Sequence, residues 1–244
     1  MRKTMFATVI TVFIVLAVSS TIRAKDDDNK LSAVPETFVG KAGDCGPSYP
    51  AGSKIVTSAW LGGMGLPDDG SSPNTPSNDP HNGLLLSKNG PTPDCSAAGA
   101  VIKGAEGILV TTTFALGFDY RNGGHCGAGA PRFNIVTDDS VFHFGGGCAN
   151  GTPSAAPQDP VQWTRVRIAG SSAAQMFPPL TPGTRITSLE IIFDEGTDTA
   201  NNDTEGVGLA VIDNIFINGT YITSGNSDAD EGKDKDRDRD DDKK

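Results

Sequence analysis

The sequence predicts an all-β fold, an antiparallel β-sandwich, and three observations predict it. The 244 residues include 30 glycines and 16 prolines, which interrupt helices and favour turns. Short runs of β-branched and aromatic residues alternate with clusters of turn-forming residues, as in sandwiches and barrels. Beyond the N-terminal leader, no stretch carries a convincing helical period of apolar residues.

The strands are predicted where these runs occur, and a long loop is expected at Gly62–Gly83. The nearest candidate for a helix is Ser96–Gly107, but its three glycines and its β-branched centre favour a strand. The predicted strands are Ile55–Leu61, Leu84–Lys88, Ala97–Lys103, Ile108–Arg121, Arg132–Thr137, Ser140–Phe144, Gln162–Ile168, Ile186–Asp194 and Val207–Asn218.

The N-terminus has the pattern of a secretory signal peptide over residues 1–24. Arg2 and Lys3 precede an apolar run from Met5 to Val18, and small residues follow before Ala24. An uncleaved anchor is the alternative, although the run is shorter than the roughly 20 residues that cross a bilayer. No later stretch is apolar enough to span a membrane, so the mature chain is expected to be secreted, either extracellular or periplasmic.

Both ends of the mature chain are charged. Residues 25–30 form a short charged lead-in, and residues 226–244 contain no apolar residue larger than alanine. Such segments bury nothing that offsets the entropy of ordering, so disordered termini are expected. Residues 31–225 between them are long enough for one sandwich domain with a real core.

The net charge of the chain limits the classes of partner that it can bind. The formal net charge is −10, which argues against nucleic acid, because phosphates require a basic surface. An acidic surface instead suits calcium, or simply extracellular solubility.

The four cysteines, in an exported chain, predict two disulfides. Three pairings are possible; Cys126–Cys148 is favoured because a predicted hairpin brings the two together, which leaves Cys45–Cys95. The alternative is a zinc site in which His125 and His143 join Cys126 and Cys148. It lacks the close ligand pairs of structural zinc motifs, and export favours oxidised cysteines.

That hairpin is predicted from the turn signal at Thr137–Ser140, with Asp138 and Asp139 as a two-residue loop. The resulting register places Phe133 opposite Phe144 on the core face. Arg132, Asn134 and His143 then point away from the core on the other face.

The same alternation places Asp119 and Arg121 on one side of the preceding strand. Beside the hairpin, they would share a polar surface with its three outward residues. "VQWTRVRI" would add an aromatic ring, and such a surface suits a sugar. The predicted ligand-binding residues are Asp119, Arg121, Arg132, Asn134, His143 and Trp163.

Two other interpretations of this surface remain open. The residues could be ordinary solvent-facing strand positions with cross-strand ion pairs. A hydrolase would use His143 as general base, oriented by Asp119, but no catalytic motif accompanies the pair. Exposure of Trp60 or Trp163 would favour a glycan-binding module, whereas burial of both would favour a structural protein.

The loop "DEGTDTANNDTEG" concentrates oxygen ligands of the kind that calcium takes in numbers of six to eight. Its spacing differs from that of an EF-hand, and a plain solvated loop is the alternative. The next strand carries Asp213 among aliphatic residues, where a carboxylate needs a partner. The predicted calcium ligands are Asp213, Asp194, Glu195, Asp198, Asp203 and Glu205.

The stretch from "LGFDYR" to "VIDNIFING" resembles the jelly-roll, galactose-binding-like sandwiches of many carbohydrate-binding modules, and secreted bacterial sandwich proteins of uncharacterised function. The resemblance implies a jelly-roll-like architecture and Asp213 as a structural calcium ligand. The expected function is a secreted, non-catalytic module that binds extracellular polysaccharide and is stabilised by calcium. A structural or surface-associated extracellular protein is the alternative, followed by the hydrolase.

Overall fold

The structure is a computed structural model that describes residues 30–52, 55–69, 77–79, 81–197 and 208–223. The predicted signal peptide and most of both predicted disordered ends lie outside these residues, as do Asp198, Asp203 and Glu205. The described strands are β1 Ser32–Val39, β2 Val56–Leu61, β3 Asp68–Asp69, β4 Ser77–Asp79, β5 Gly83–Lys88, β6 Ser96–Lys103, β7 Ala115–Arg121, β8 Arg132–Thr137, β9 Phe142–Gly145, β10 Thr152–Ala155, β11 Trp163–Ala169, β12 Met176–Phe177, β13 Ile186–Phe193, β14 Leu209–Ile217 and β15 Thr220–Ile222.

The strands form two main antiparallel sheets, which confirms the all-β sandwich. One sheet has six strands in the order β1-β6-β13-β8-β9-β12, and the other has seven in the order β10-β11-β7-β14-β5-β2, with β15 beside β14. β3 and β4 form a separate ribbon. Within the described ranges the one helical element is a single 3-10 turn, Cys148–Asn150, and no helix is long and apolar enough to cross a membrane.

The core lies between the sheets because strands such as β7 and β8 turn alternate apolar residues inward. Phe133 and Ile135 point inward from β8, and Leu116 and Phe118 point inward from β7. The rings of Phe118 and Phe133 meet across the sandwich with centroids 5.9 Å apart. Burial of such side chains stabilises the fold by roughly 1.5–3 kcal/mol each.

Most predicted strands are present, and two differences have physical causes. The predicted strand Ile108–Arg121 begins only at Ala115, because a turn bonds the Phe114 N–H to the Thr111 carbonyl. β1 was not predicted, since Pro35 interrupts its pattern. β1 is an edge strand, where a residue without an N–H is tolerated.

The hairpin of β8 and β9 exists, but its predicted register is wrong by one residue. Ile135 lies opposite His143 and Asn134 opposite Phe144. The loop has three residues rather than two, with Ser140 in the left-handed region at φ 64° and its N–H bonded to the Thr137 carbonyl. A one-residue slip moves every side chain of a strand to the other face. His143 is therefore buried in the sandwich and Phe144 points outward.

Candidate functional site

The structure divides the predicted ligand-binding residues between the two sheets. Asp119, Arg121 and Trp163 lie on β7 and β11, on the outer face of the seven-stranded sheet. Arg132 and Asn134 lie on the outer face of the six-stranded sheet. β7 pairs with β11 and β14 rather than with the hairpin that follows it in sequence, so the predicted common surface is not assembled.

His143 faces inward, and its two ring nitrogens bond the Thr137 hydroxyl and the Pro178 carbonyl. It lies in a different sheet from Asp119, and both side chains are buried. The structure therefore does not bring together the two residues of the hydrolase hypothesis.

Asp119 belongs to a closed polar network. Arg165 donates to both of its carboxylate oxygens at 2.8 Å, and Asn214 Nδ2 donates to it at 2.9 Å. Burial alone would lower the pKa of Arg165, but the hydrogen bonds and charge of Asp119 raise it. The Arg167 guanidinium stacks on Phe216, 4.5 Å from the ring centroid. Both oxygens of the buried Asp119 carboxylate are thus hydrogen-bonded within the protein, which favours a structural role for this network.

Neither tryptophan offers an open ring to a ligand. Trp163 is 4% exposed and packs in a small outer cluster with Leu66, Ala156 and Val211. Trp60 is partly buried against the core and donates its indole N–H to the Ala33 carbonyl at 2.8 Å. Trp163 is thus buried, whereas Trp60 is only half-buried, so the tryptophans do not decide between a glycan-binding module and a structural protein.

A cavity lies on the outer face of the six-stranded sheet, lined by the aromatic rings of Phe38 on β1, Tyr49 in the loop after β1 and Phe144 on β9. We call it the aromatic cavity; its volume is about 410 Å³. It is lined by Phe38, Cys45, Tyr49, Thr92, Asp94, Ser96, Ala97, Gly129, Arg132, Phe144, Asp194 and Glu195. Phe38 and Tyr49 are 52% and 43% exposed, so both rings are accessible to a ligand.

Strand register explains why this cavity is open. Phe38 on β1 lies opposite Ala97 on β6, and Gly99 follows Ala97 on the same face. Of these two small residues, Ala97 lines the cavity, together with the ring of Phe38 and with Arg132 and Phe144. The Arg132 guanidinium lies 4.8 Å from the centroid of the Phe144 ring, within cation–π distance.

Each of the three carboxylates that line the aromatic cavity is paired with a basic side chain. Arg132 donates to both oxygens of Asp194, at 2.6 and 2.8 Å. The Lys88 ammonium lies 3.0 Å from the nearer oxygen of Asp94. His125 Nε2 is hydrogen-bonded to Glu195. Asp194 and Glu195, whose side chains are 39% and 17% exposed, are the accessible carboxylates of the cavity, whereas Asp94 is buried and also accepts from the Ser96 hydroxyl.

Sequence reasoning found Arg132, Asp194 and Glu195 but missed the aromatic rings of this cavity. The predicted hairpin register places Phe144 in the core, and the one-residue slip turns it outward. Phe38 and Tyr49 lie in a segment where no strand was predicted. The β-branched and aromatic residues of β1, Val34, Thr37, Phe38 and Val39, are the signal that the sequence offers for this strand.

The same outer face carries a pair of carboxylates, on Glu36 of β1 and Glu190 of β13. β6 lies between them, where Glu36 is opposite Gly99 and Glu190 is opposite Val101. Burial raises the pKa of Glu36, the charge of Glu190 raises it further, and Lys103 opposes the rise. Ionisation of Glu36 is therefore less favourable in the folded chain than in the unfolded chain.

We expect Glu36→Gln to stabilise the protein at pH 7, by less than about 1 kcal/mol because the side chain is largely exposed. A carboxyl group whose pKa is higher in the folded chain favours folding while it is protonated. This contribution to stability is complete below the pKa of the unfolded chain and is lost as the pH rises through the pKa of the folded chain. The stabilisation by Glu36→Gln should therefore disappear near pH 4, as measured by urea unfolding. Glu106→Gln, at an exposed turn, is the control. Equal stabilisation at both pH values would contradict the charge-pair explanation.

A second cavity, also of about 410 Å³, lies beside the Cys126–Cys148 disulfide. Its walls are largely glycines and small residues, and Tyr120 and Asn122 supply most of its polar side-chain atoms. It has no charged lining residue. The aromatic cavity is therefore the better candidate for specific recognition.

Both predicted disulfides are confirmed. Cys45 is bonded to Cys95 and Cys126 to Cys148, with Cα atoms 5.6 and 5.0 Å apart. The cysteines of the zinc hypothesis are thus held in a disulfide and cannot act as thiolate ligands.

The residues predicted to hold calcium have other partners where the structure describes them. Asp213 accepts hydrogen bonds from the Leu66 and Asn214 N–H groups, at 2.7 and 2.6 Å. Asp194 and Glu195 bind Arg132 and His125, as described above. Among the described residues, no three or more His, Cys, Asp or Glu side chains form a metal-binding group. The calcium site stays a prediction.

No protein-family model, curated protein or solved structure significantly matches the chain. Function therefore has to be inferred from the site itself rather than from relatives.

Proposed function

We propose that this protein is a secreted, non-catalytic module of jelly-roll-like architecture that binds extracellular polysaccharide in the aromatic cavity. The observation that carries the proposal is the combination of accessible rings, Phe38 and Tyr49, with hydrogen-bonding carboxylates. A sugar presents hydroxyl donors to such carboxylates and C–H faces to such rings. The cavity volume lies within the range of small-molecule sites.

The charges of the site favour a neutral glycan over an anionic one. Arg132 and Lys88 already bind carboxylates, so neither cation is available to balance a uronate or a sulfate. Glu36 and Glu190 on the same face, and the net charge of −10, add repulsion for polyanions.

Two further observations support the export of this module. Disulfides persist in oxidising compartments such as the extracellular space and the periplasm, and this chain has two. Residues 1–24 have the pattern of a signal peptide, which directs a chain to export.

The test is a glycan array with the mature protein, followed by titration of the neutral glycans that bind. We expect Tyr49→Ala and Phe38→Ala each to weaken binding about tenfold, because loss of one stacking ring costs about 0.5–1.5 kcal/mol beyond its area. Leu109→Ala and Val161→Ala remove exposed apolar side chains elsewhere and should leave affinity unchanged. Binding by anionic glycans alone, or equal losses in all four variants, would contradict the proposal.

Thermal melting of the mature protein, with added calcium and with a chelator, tests the proposed structural calcium. A cation that binds only the folded state raises the melting temperature in proportion to the logarithm of its excess over Kd. Melting that is indifferent to calcium from micromolar to millimolar concentrations would remove calcium from the proposal.

The structural or surface-associated protein remains the second candidate because Trp163 is buried and Trp60 is packed against the core. It predicts that no glycan on the array binds. The array therefore decides between the two.

A further inference from the structure

Lys88, the last residue of β5, is fully buried. Its ammonium lies 3.0, 3.1 and 2.9 Å from the backbone carbonyl oxygens of Thr92, Asp94 and Ser96. The Asp94 carboxylate, at 3.0 Å, is the fourth oxygen around it. An ammonium has three protons to donate, so this single group holds the chain from residue 92 to residue 96 around itself.

The segment that Lys88 gathers, residues 89–96, is joined to one wall of the aromatic cavity by hydrogen bonds. The Thr92 hydroxyl accepts from the Gly196 N–H at 2.8 Å, and the Gly90 carbonyl accepts from the Thr197 N–H at 3.0 Å. These two bonds fix the backbone that directly follows Asp194 and Glu195.

The segment is joined to the opposite wall as well. Cys95 forms the disulfide with Cys45, and its N–H donates to the Pro50 carbonyl at 3.1 Å. Tyr49 lies next to Pro50 in this loop. The ring on one side of the cavity and the carboxylates on the other are thus both attached to residues 89–96.

We propose that Lys88 is the positioning residue of the aromatic cavity: its buried ammonium shapes residues 89–96, which in turn set the distance between Tyr49 and the carboxylates of Asp194 and Glu195. For its effect on binding, the inference rests on the proposed function. Its effect on the two walls does not, and can be measured without any ligand.

The experiment compares Lys88→Met, which keeps the chain length and removes the ammonium, with wild type by amide hydrogen exchange. We expect exchange to accelerate at least tenfold at Cys95, at Gly196 and Thr197, and at Gly43, whose N–H bonds the Tyr49 carbonyl. The β8–β9 hairpin should be unchanged. Acceleration confined to residues 89–96, or spread evenly over the chain, would overturn the proposal.

The second readout is affinity for the neutral glycan selected by the array, measured well below the melting temperature. We expect Lys88→Met to weaken binding at least tenfold. Ile168→Val on β11, in the other sheet, is a core control that should leave affinity unchanged. Unchanged affinity in Lys88→Met would overturn the positioning role. If wild type binds no neutral glycan, the proposed function fails. The effect of Lys88 on the two walls of the cavity is then tested by the exchange data alone.

Thr92→Val keeps the proposal falsifiable if Lys88→Met does not fold. It removes only the hydroxyl that accepts from Gly196. Faster exchange at Gly196 and Thr197, with Gly43 unchanged, is the expected result. No change at Gly196 would overturn the link between the segment and the carboxylate wall.

Discussion

Asp119→Ala is expected to lower the free energy of unfolding by about 3–5 kcal/mol, which is the usual cost of removing one partner of a buried ion pair. Asp119 is fully buried, and its loss leaves Arg165 without the carboxylate that binds it through two hydrogen bonds. Asn214, whose side chain is also fully buried, loses an acceptor at the same time. Urea denaturation at neutral pH measures the change.

The matched control for this prediction is Arg121→Ala, on the same face of the same strand. Arg121 is exposed, so its replacement should change stability by no more than about 0.5 kcal/mol. A double variant, Asp119→Leu with Arg165→Met, should be more stable than Asp119→Ala because no charge is left uncompensated at this pair. A loss of under about 1 kcal/mol for Asp119→Ala would show that the network contributes little.

Removal of the Cys45–Cys95 disulfide is expected to have an effect of similar size. The bond closes a loop across 50 residues of sequence, for which loop-closure entropy gives about 4 kcal/mol. The paired substitution Cys45→Ala with Cys95→Ala should therefore lower the free energy of unfolding by this amount. Cys126→Ala with Cys148→Ala, across 22 residues, should cost about 3 kcal/mol.

The two disulfides should also differ in their effect on ligand binding. Cys45–Cys95 attaches the Tyr49 loop to the segment around Lys88, whereas Cys126–Cys148 borders the second cavity. We expect affinity for the glycan to fall only when the first disulfide is removed. Equal loss of affinity in both double variants would contradict this assignment.

Much of the sandwich could be predicted because strand alternation is a local signal. The predicted Arg132–Thr137 coincides with β8, since apolar Phe133 and Ile135 alternate with polar neighbours and a turn follows at once. Sheet order is not local, because it depends on which strands meet in space. The pairing of β7 with β11 and β14, which separates Asp119 from Asn134, could not be read from adjacent sequence.

The candidate site was predicted only in part for the same reason. Asp194 and Glu195 stood out as an acidic cluster, but their partners Arg132 and His125 lie far away in sequence. Lys88 looked like the polar end of a strand, and nothing local marks a lysine whose four oxygen neighbours all follow it in the chain. The three-residue loop, with Ser140 in the left-handed region, gives the hairpin a register one residue away from the predicted one. The predicted register therefore did not place Phe144 on the outer face.

The two outer faces of this sandwich have different tolerance to change. The face around Asp119 and Arg165 is held by paired charges and stacked rings, so we expect replacement of these buried residues to destabilise the fold. The rings of Phe38 and Tyr49 are not part of the core, and the scaffold behind them is fixed by Lys88 and a disulfide. A library that randomises these two positions should therefore yield folded variants with altered ligand preference, and the six-stranded sheet becomes the side on which new specificity can be selected.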